Sequence, residues 1–175
     1  PPDPVAITRF RHEFLALRQA EIPGLVRAHA LYELDGEIFY SMELLQGRNL
    51  EAVIEDRPLP AARVVEIGIE LTRILQGLHE RGVIHRDIKP TNIVLLDDGN
   101  LRLVDLGLGK LLPPFYATSE GRTPPEERLQ TTPGIRLGTP GYIAPEAGFG
   151  DPPAARQDVF SLGVTLFRLA TRKMP

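Results

Sequence analysis

Between His85 and Asn92 the chain reads His-Arg-Asp-Ile-Lys-Pro-Thr-Asn, which puts an imidazole, a carboxylate, an amine and a carboxamide into one short polar stretch. Pro90 forbids a helix from running through it. A helical pattern precedes it and the apolar run Ile93-Val94-Leu95-Leu96 follows, so it reads as a loop between a helix and a strand, where reactive groups are commonly mounted. A second apolar run, Leu101 to Val104, ends at Asp105, and the turn-forming Asp97-Asp98-Gly99-Asn100 separates the two runs. Antiparallel strands joined in this way bring together the residues just outside their open ends, so Asn92 and Asp105 are predicted neighbours. An amide oxygen beside a carboxylate is a pair of hard-oxygen ligands of the kind magnesium takes, with water and phosphate completing the shell.

The elements that must position these groups follow from the hydrophobic pattern. Between Pro60 and Gly82, Val64, Ile67, Leu71, Ile74, Leu75 and Leu78 fall on one stripe, with Arg63, Glu66, Glu70 and Arg73 largely opposite. This predicts an amphipathic helix, opened by Pro60 and capped by a left-handed Gly82, that delivers Val83-Ile84 into the polar loop. Earlier, Phe10, Phe14, Leu15 and Leu17 recur at helical spacing until Pro23-Gly24 stops the run. Leu31 to Leu34 and Ile38 to Met42 flank Asp35-Gly36, a hairpin signal, and Glu43-Leu44-Leu45-Gln46-Gly47 reads as an apolar strand running out into a glycine. Near the end, Val159, Phe160, Leu162, Val164, Leu166, Phe167, Leu169 and Ala170 form a helix apolar almost all round. That predicts burial in a core, since the helix is too short to span a bilayer. From Lys110 to Arg136 the pattern dissolves into Pro, Gly, Thr, Ser and charged residues, unusually long for a connector.

A length of 175 residues suggests one domain or part of a larger one, and 42% hydrophobic with 25% charged residues gives a soluble globular chain enough apolar material for a core. A net charge of -3 gives no reason to expect nucleic acid or an anionic membrane as partner. Without cysteine, disulfides and thiolate metal sites are excluded. No apolar run reaches the length of a membrane span, and no charged-then-apolar leader opens the chain. The abrupt Pro1-Pro2-Asp3-Pro4 start and the stop at Pro175 after a helical pattern read as a fragment of a longer chain.

Three motifs, in order, carry a resemblance to a known family. His85 to Asn92 resembles the catalytic loop of protein kinases, Asp105-Leu106-Gly107 their DFG motif, and Ala144-Pro145-Glu146 their APE motif, with fitting spacing. The resemblance covers the chain from about Phe10 onward. It implies an α+β, protein kinase-like fold: part of a small β-rich lobe followed by part of a larger, mainly helical lobe. Residues 1–45 would be the remainder of the small lobe with helix C and the hinge, and 46–175 the large lobe through its central buried helix. Residues 105–146 would be the activation segment. The implied activity is a bacterial-type serine/threonine protein kinase using ATP and magnesium, with Ser/Thr hydroxyls of proteins as substrate. Lys89 and Gly138-Thr139 look like the serine/threonine branch, because tyrosine kinases carry alanine and arginine where this chain has Lys89 and Thr91.

By the same resemblance Asp87 is the catalytic base and Lys89 reaches the transferring phosphate. Asn92 and Asp105 hold the magnesium. Met42 sits at the back of the adenine pocket, backbone groups of Glu43 and Leu45 bind the adenine edge, and Val94 belongs to the same nucleotide-binding set. Glu13, on its own a solvated helix carboxylate, matches the helix-C glutamate that pairs with the ATP-binding lysine. A link between strands would equally explain residues 43–47. His85 invites a metal or general-base role, but a histidine beside a buried helix end reads as a core residue. Arg86 is open between a surface cation and a phosphate receptor for the activation segment; the bidentate fit of guanidinium to phosphate favours the receptor. Asp158 matches an aspartate near the start of the family's central helix. Thr131 and Thr132 are the expected regulatory phosphorylation sites, with Thr118, Ser119 and Thr123 behind them.

Leu106 departs from the family's phenylalanine, a conservative apolar swap. The glycine-rich loop and the ATP-binding lysine do not fall within these residues; the resemblance places the lysine about six residues before Pro1. The stretch alone is therefore expected to bind ATP weakly and to lack activity, and Glu146 is expected to lack its arginine partner. A different class of function is a pseudokinase or inactive fragment serving as a binding module, against which Asp87, Asn92 and Asp105 stand intact together. A small-molecule kinase of the aminoglycoside type shares the loop logic but usually lacks the Ala-Pro-Glu segment. The expected location is cytoplasmic, with no membrane contact from this segment and room for an anchor elsewhere in the parent.

Overall fold

In chain order the elements are α1 (Pro4–Ala20), β1 (Ala28–Leu34), β2 (Glu37–Met42), β3 (Gly47–Asn49), α2 (Leu50–Val53) and α3 (Ala61–Glu80). A single 3-10 turn (Pro90–Asn92) follows, then β4 (Ile93–Leu96), β5 (Leu101–Leu103), α4 (Pro145–Gly148) and α5 (Ala155–Thr171). They come from a computed structural model that describes residues 4–35, 37–106, 139–148 and 154–175, without the side chains of residues 4–6, 8–9 and 12–13 in α1 or 148 in α4. The stretch from Lys110 to Arg136, with Thr118, Ser119, Thr123, Thr131 and Thr132, therefore lies outside the described residues, as do Gly36, Gly107, Gly138 and the Glu13 side chain.

The α3 stripe is buried as its period demands, with Ile67, Leu71 and Leu78 wholly inside. Gly82 adopts φ +71 and ends the helix: its N–H donates to the His79 carbonyl at 2.9 Å, and the Val83 N–H to that of Leu78 at 3.0 Å. This reciprocal pair satisfies carbonyls that the last turn would otherwise leave open. Leu78 and Val83 are both buried, so the apolar contact that accompanies such a cap is in place. The cap aims Val83-Ile84 inward, toward the polar loop.

Strands β1 and β2 form an antiparallel hairpin from Ala28↔Met42 to Leu34↔Glu37, irregular between Ala28 and Ala30. Phe10 and Phe14 of α1 pack on Tyr40 of β2 with ring centroids 5.0 and 5.9 Å apart. The helix begins at Pro4, earlier than the apolar pattern indicates, because proline is tolerated in a first turn. Leu15 is 43% exposed, so Phe14, Ala16, Leu17 and Ala20 supply the buried face. The second sheet has the order β3-β4-β5, all antiparallel, with Gly47↔Leu96 and Ile93↔Leu103 in register. A parallel bridge from Leu25 to Leu103 ties the α1–β1 connector to this sheet, with Leu103 N–H donating to the Gly24 carbonyl at 2.7 Å. Helices stand among strands whose sheet pairings are all antiparallel, which makes the class α+β, as expected.

Two expectations need correction. Residues 43–46 are not a strand: β2 stops at Met42, the Glu43 N–H turns aside to the Arg27 carbonyl at 2.9 Å, and Leu44 points into solvent at 89% exposure. Gly47 is instead the first residue of β3. Helix α5 is not buried all round, since Val159, Phe160 and Phe167 are exposed. Its inward face is the helical stripe Asp158, Ser161, Leu162, Thr165 and Leu169, three of the five polar, because that face must satisfy backbone groups of the neighbouring loops. Among the described residues no helix is long and apolar enough to cross a membrane.

Gly47 has to be glycine for a steric reason: a Cβ there would collide with the Leu95 backbone carbonyl of the paired strand. Gly47→Ala should destabilise the fold by about 1–3 kcal/mol, as overpacking against backbone does. A urea midpoint shift at unchanged slope checks this; an unshifted midpoint would mean that β3 does not pair as described.

Candidate active site

The polar loop is fixed first by Asp158 at the start of α5. This carboxylate has no exposure and accepts the His85 N–H at 2.9 Å, the Arg86 N–H at 2.7 Å and a bond from His79 Nε2 at 2.8 Å. Two backbone donors of the loop thus reach across to a distant helix, and a third donor comes from the end of α3. Arg86 sits at φ +69, a left-handed conformation that a long side chain rarely adopts and that surrounding bonds must impose. Thr165, farther along the same face, donates to the Ile88 carbonyl at 3.2 Å.

With the loop pinned at both sides of Asp87, the Asp87 carboxylate becomes a hub. Oδ2 accepts from Lys89 Nζ at 2.5 Å and Asn92 Nδ2 at 2.9 Å. Oδ1 accepts from the Thr139 backbone N–H at 3.2 Å and its hydroxyl at 3.0 Å. Lys89 Nζ also donates to Thr139 Oγ1 at 2.6 Å, closing a triangle. Burial acts to raise the Asp87 pKa, but the bonds from Lys89, Thr139 and Asn92, with the Lys89 charge, outweigh it and hold the group below its ordinary value. The balance of its neighbours therefore favours the ionised carboxylate.

Asn92 is buried, and its Nδ2 is fully engaged with the Asp87 carbonyl and carboxylate, both at 2.9 Å. That orientation leaves Oδ1 with only a long 3.5 Å contact from the Thr91 hydroxyl. The Val104 N–H donates to the Asn92 carbonyl at 2.9 Å, so Asp105 follows directly on the residue bonded to Asn92, the adjacency that the hairpin predicts. Asp105 is exposed and held at φ +61. Among the described residues no cluster of three or more His, Cys, Asp or Glu could enclose a metal. A cation here would rest on Asn92 Oδ1 and the Asp105 carboxylate, with the remaining oxygens from water or phosphate, and that donor set fits magnesium rather than a softer ion.

His85 is wholly buried, and burial pushes its pKa below the usual imidazole value against the opposing charges of Asp158, Asp87 and Asp105. Nδ1 accepts the Asp87 N–H at 3.3 Å, which puts the proton of the neutral ring on Nε2. Nε2 meets no partner at good hydrogen-bond geometry among the described residues, although the Val104 backbone lies near enough to favour the protonated ring. Arg86 differs: burial lowers its pKa to about 10, partly offset by Asp158, and Nε and Nη2 are buried without a partner among the described residues.

The residues expected to meet a nucleotide are more dispersed. Met42 ends β2 at 46% exposure. Glu43 has its N–H committed to Arg27, while its carboxylate accepts the Arg27 N–H at 3.0 Å and faces Arg102 Nε at 3.5 Å, so only its carbonyl is left for a ligand. Leu45 packs on the core, and among the described residues its backbone groups take no hydrogen bond. Val94 lies in the middle strand of the second sheet, opposite Asn49 and Arg102. The backbone of Glu13 lies within α1. Glu146 pairs with Arg156 at 3.2 Å, where α5 begins close to α4. Thr139 is the residue whose role the sequence did not disclose. Its bonds to Asp87 span 52 residues, which no local pattern reveals.

Compared with known proteins, the chain matches the protein kinase domain family over residues 3–175. It is 31% identical over 170 residues to the serine/threonine-protein kinase pkn2 of Myxococcus xanthus, covering 95% of this chain and 19% of that protein. It is 35% identical over 172 residues to the DNA damage-responsive serine/threonine-protein kinase RqkA of Deinococcus radiodurans, covering 96% and 24%. Against the serine/threonine-protein kinase PknL of Mycobacterium tuberculosis the identity is 35% over 176 residues, covering 97% and 39%. The chain thus spans from 19% to 39% of the length of these relatives.

A depressed carboxyl pKa stabilises the fold fully above the unfolded value, and the contribution is lost as pH falls through the folded value. Asp87 should therefore cost the protein stability only below its ordinary value of 3.8. Melting temperatures of the wild type and Asp87→Asn, compared from neutral pH downward, should diverge in their pH slope only in that acid window. Parallel curves throughout would show that Asp87 is not held ionised by its neighbours.

Proposed function

Since the chain belongs to the protein kinase domain family, we propose that it transfers the γ-phosphoryl group of ATP to serine and threonine hydroxyls of protein substrates. The observation that carries this is the Asp87 hub: an ionised carboxylate bonded to Lys89, Asn92 and Thr139, one strand end away from Asp105. The names of the relatives from Myxococcus, Deinococcus and Mycobacterium support the serine/threonine specificity.

In this reading Asp87 orients the acceptor hydroxyl and takes its proton as the oxygen attacks. Little covalent work is asked of the protein, since phosphoryl transfer depends mainly on position and charge neutralisation. Lys89, already a mobile cation beside Asp87, places positive charge against the transferred phosphoryl oxygens. Asn92 turns Oδ1 outward because Nδ2 is held by Asp87, and Asp105 presents its carboxylate from a left-handed backbone. Together they would hold magnesium, which supplies charge neutralisation at the phosphates. Met42, the Glu43 carbonyl, Leu45 and Val94 are assigned to the adenine side, and Glu13 to the pairing of helix α1 with an ATP-binding lysine. Residues 1–45 are read as the remainder of the smaller lobe, 46–175 as the larger lobe and 105–146 as the activation segment. The buried, unpartnered Nε and Nη2 of Arg86 support a phosphate receptor, with Thr131 or Thr132 as the modified residue. A binding module without phosphotransfer would have no need of Asp87, Asn92 and Asp105 together.

The test is transfer of labelled phosphate from ATP to a Ser/Thr peptide, with magnesium, by the longer parent protein that contains this chain. Asp105→Asn should abolish it with the circular dichroism spectrum unchanged, and Asp87→Asn should lower it by roughly two to four orders of magnitude. Undiminished turnover by the folded Asp105→Asn protein would overturn the assignment.

A further inference from the structure

A cleft of about 1080 Å³ opens between the C-terminal end of α1, the α1–β1 connector, α3 and the start of β5. None of its lining residues belongs to the Asp87 loop. Its walls carry Arg18, Arg27, His29, Arg73 and Arg102, against only two acids, Glu21 and Glu70. Counting arginine and glutamate alone, four positive and two negative charges leave +2, on a chain whose net charge is -3. Overall composition therefore does not produce this surface.

Ion pairing does not use it up either. Among the described residues no carboxylate pairs with the guanidinium groups of Arg18, Arg27 or Arg73, and these three side chains are exposed. Arg18 lies 5.8 Å from the Phe14 ring centroid, and Arg102 leans toward Glu43 at 3.5 Å. Cations contributed by four separate segments around one concavity raise the local potential and attract an anion to it.

The shape says which anion. Among the described residues no buried polar atom without a partner lies on the cleft lining, so nothing there forms a closed cage for a single phosphate. The cations instead come from four separate segments around an open cleft, which suits successive carboxylates on an extended chain, spaced about 3.3 Å per residue. A nucleic acid fits poorly: the lining has no Phe, Tyr or Trp on which bases could stack, and Glu21 and Glu70 interrupt a continuous polyanion. We propose that this cleft is a docking site for an acidic peptide segment of a partner protein, separate from the reacting site.

The test is direct binding, which does not depend on phosphotransfer. Fluorescence anisotropy of the full chain would be followed with a labelled peptide of alternating Glu and Ser, with a Lys/Ser peptide and a single-stranded oligonucleotide of equal charge as comparators. The acidic peptide should bind saturably, weaken with added salt, and lose at least about tenfold in affinity in Arg27→Glu/Arg73→Glu. The milder Arg27→Gln/Arg73→Gln pair should rank between the two, and serves if the charge reversal does not fold. Turnover of a neutral peptide substrate should be unchanged in either pair. Unaltered affinity in both variants, absence of saturable binding, or a preference for the oligonucleotide would each overturn the proposal.

Discussion

A carboxylate with no exposure must be given hydrogen-bond donors or it destabilises the fold by several kcal/mol, and the chain around Asp158 is arranged to give them. The donors come from three places: His79 at the end of α3, and the backbone N–H groups of His85 and Arg86. One residue of α5 therefore fixes both the exit of the long amphipathic helix and the first half of the polar loop. The left-handed Arg86 is the local cost of that arrangement, tolerated because its N–H makes the 2.7 Å bond to Asp158. Ser161, on the same face, donates to the Tyr142 carbonyl at 2.7 Å and ties in the segment that carries Thr139.

From that constraint the chemistry follows outward. A loop held by its own backbone can place Asp87 without using the Asp87 side chain for support, so the carboxylate is left to gather Lys89, Asn92 and Thr139. Those neighbours keep it ionised, and they also orient one another. Asn92 gives its amide nitrogen to Asp87, which leaves the amide oxygen with only the long contact from the Thr91 hydroxyl. The β4–β5 hairpin thus does more than fill the core: its register, with the Val104 N–H bonded to the Asn92 carbonyl, brings Asn92 and Asp105 close along the chain.

Much of this was legible in the sequence. The α3 stripe from Val64 to Leu78 names its buried face because helical period and burial are the same information. The Asn92–Asp105 adjacency follows from a four-residue turn between two apolar runs. What stayed hidden depended on tertiary partners. The helix α5 pattern shows many apolar residues but not which stripe turns inward, and the polar Asp158, Ser161 and Thr165 proved to lie inward beside Leu162 and Leu169. The end of β2 at Met42 is set by a hydrogen bond from Glu43 to Arg27, which hydropathy does not encode. The short β3 gives too few residues for a period, and its glycine reads as a stop until the Leu95 carbonyl beside it is known. The contact of Thr139 with Asp87 joins residues 52 positions apart, which no local pattern encodes.

Amide hydrogen exchange at His85 and Arg86, in the wild type and in Asp158→Asn, tests most directly whether the buried carboxylate holds the site together. The amides should exchange in the wild type only with global unfolding. In Asp158→Asn they should exchange orders of magnitude faster while Leu71 and Leu75 in α3 remain protected, and phosphotransfer should fall in parallel. Equal protection of His85 and Arg86 in both proteins would contradict the account, because the loop would then be held by something other than Asp158.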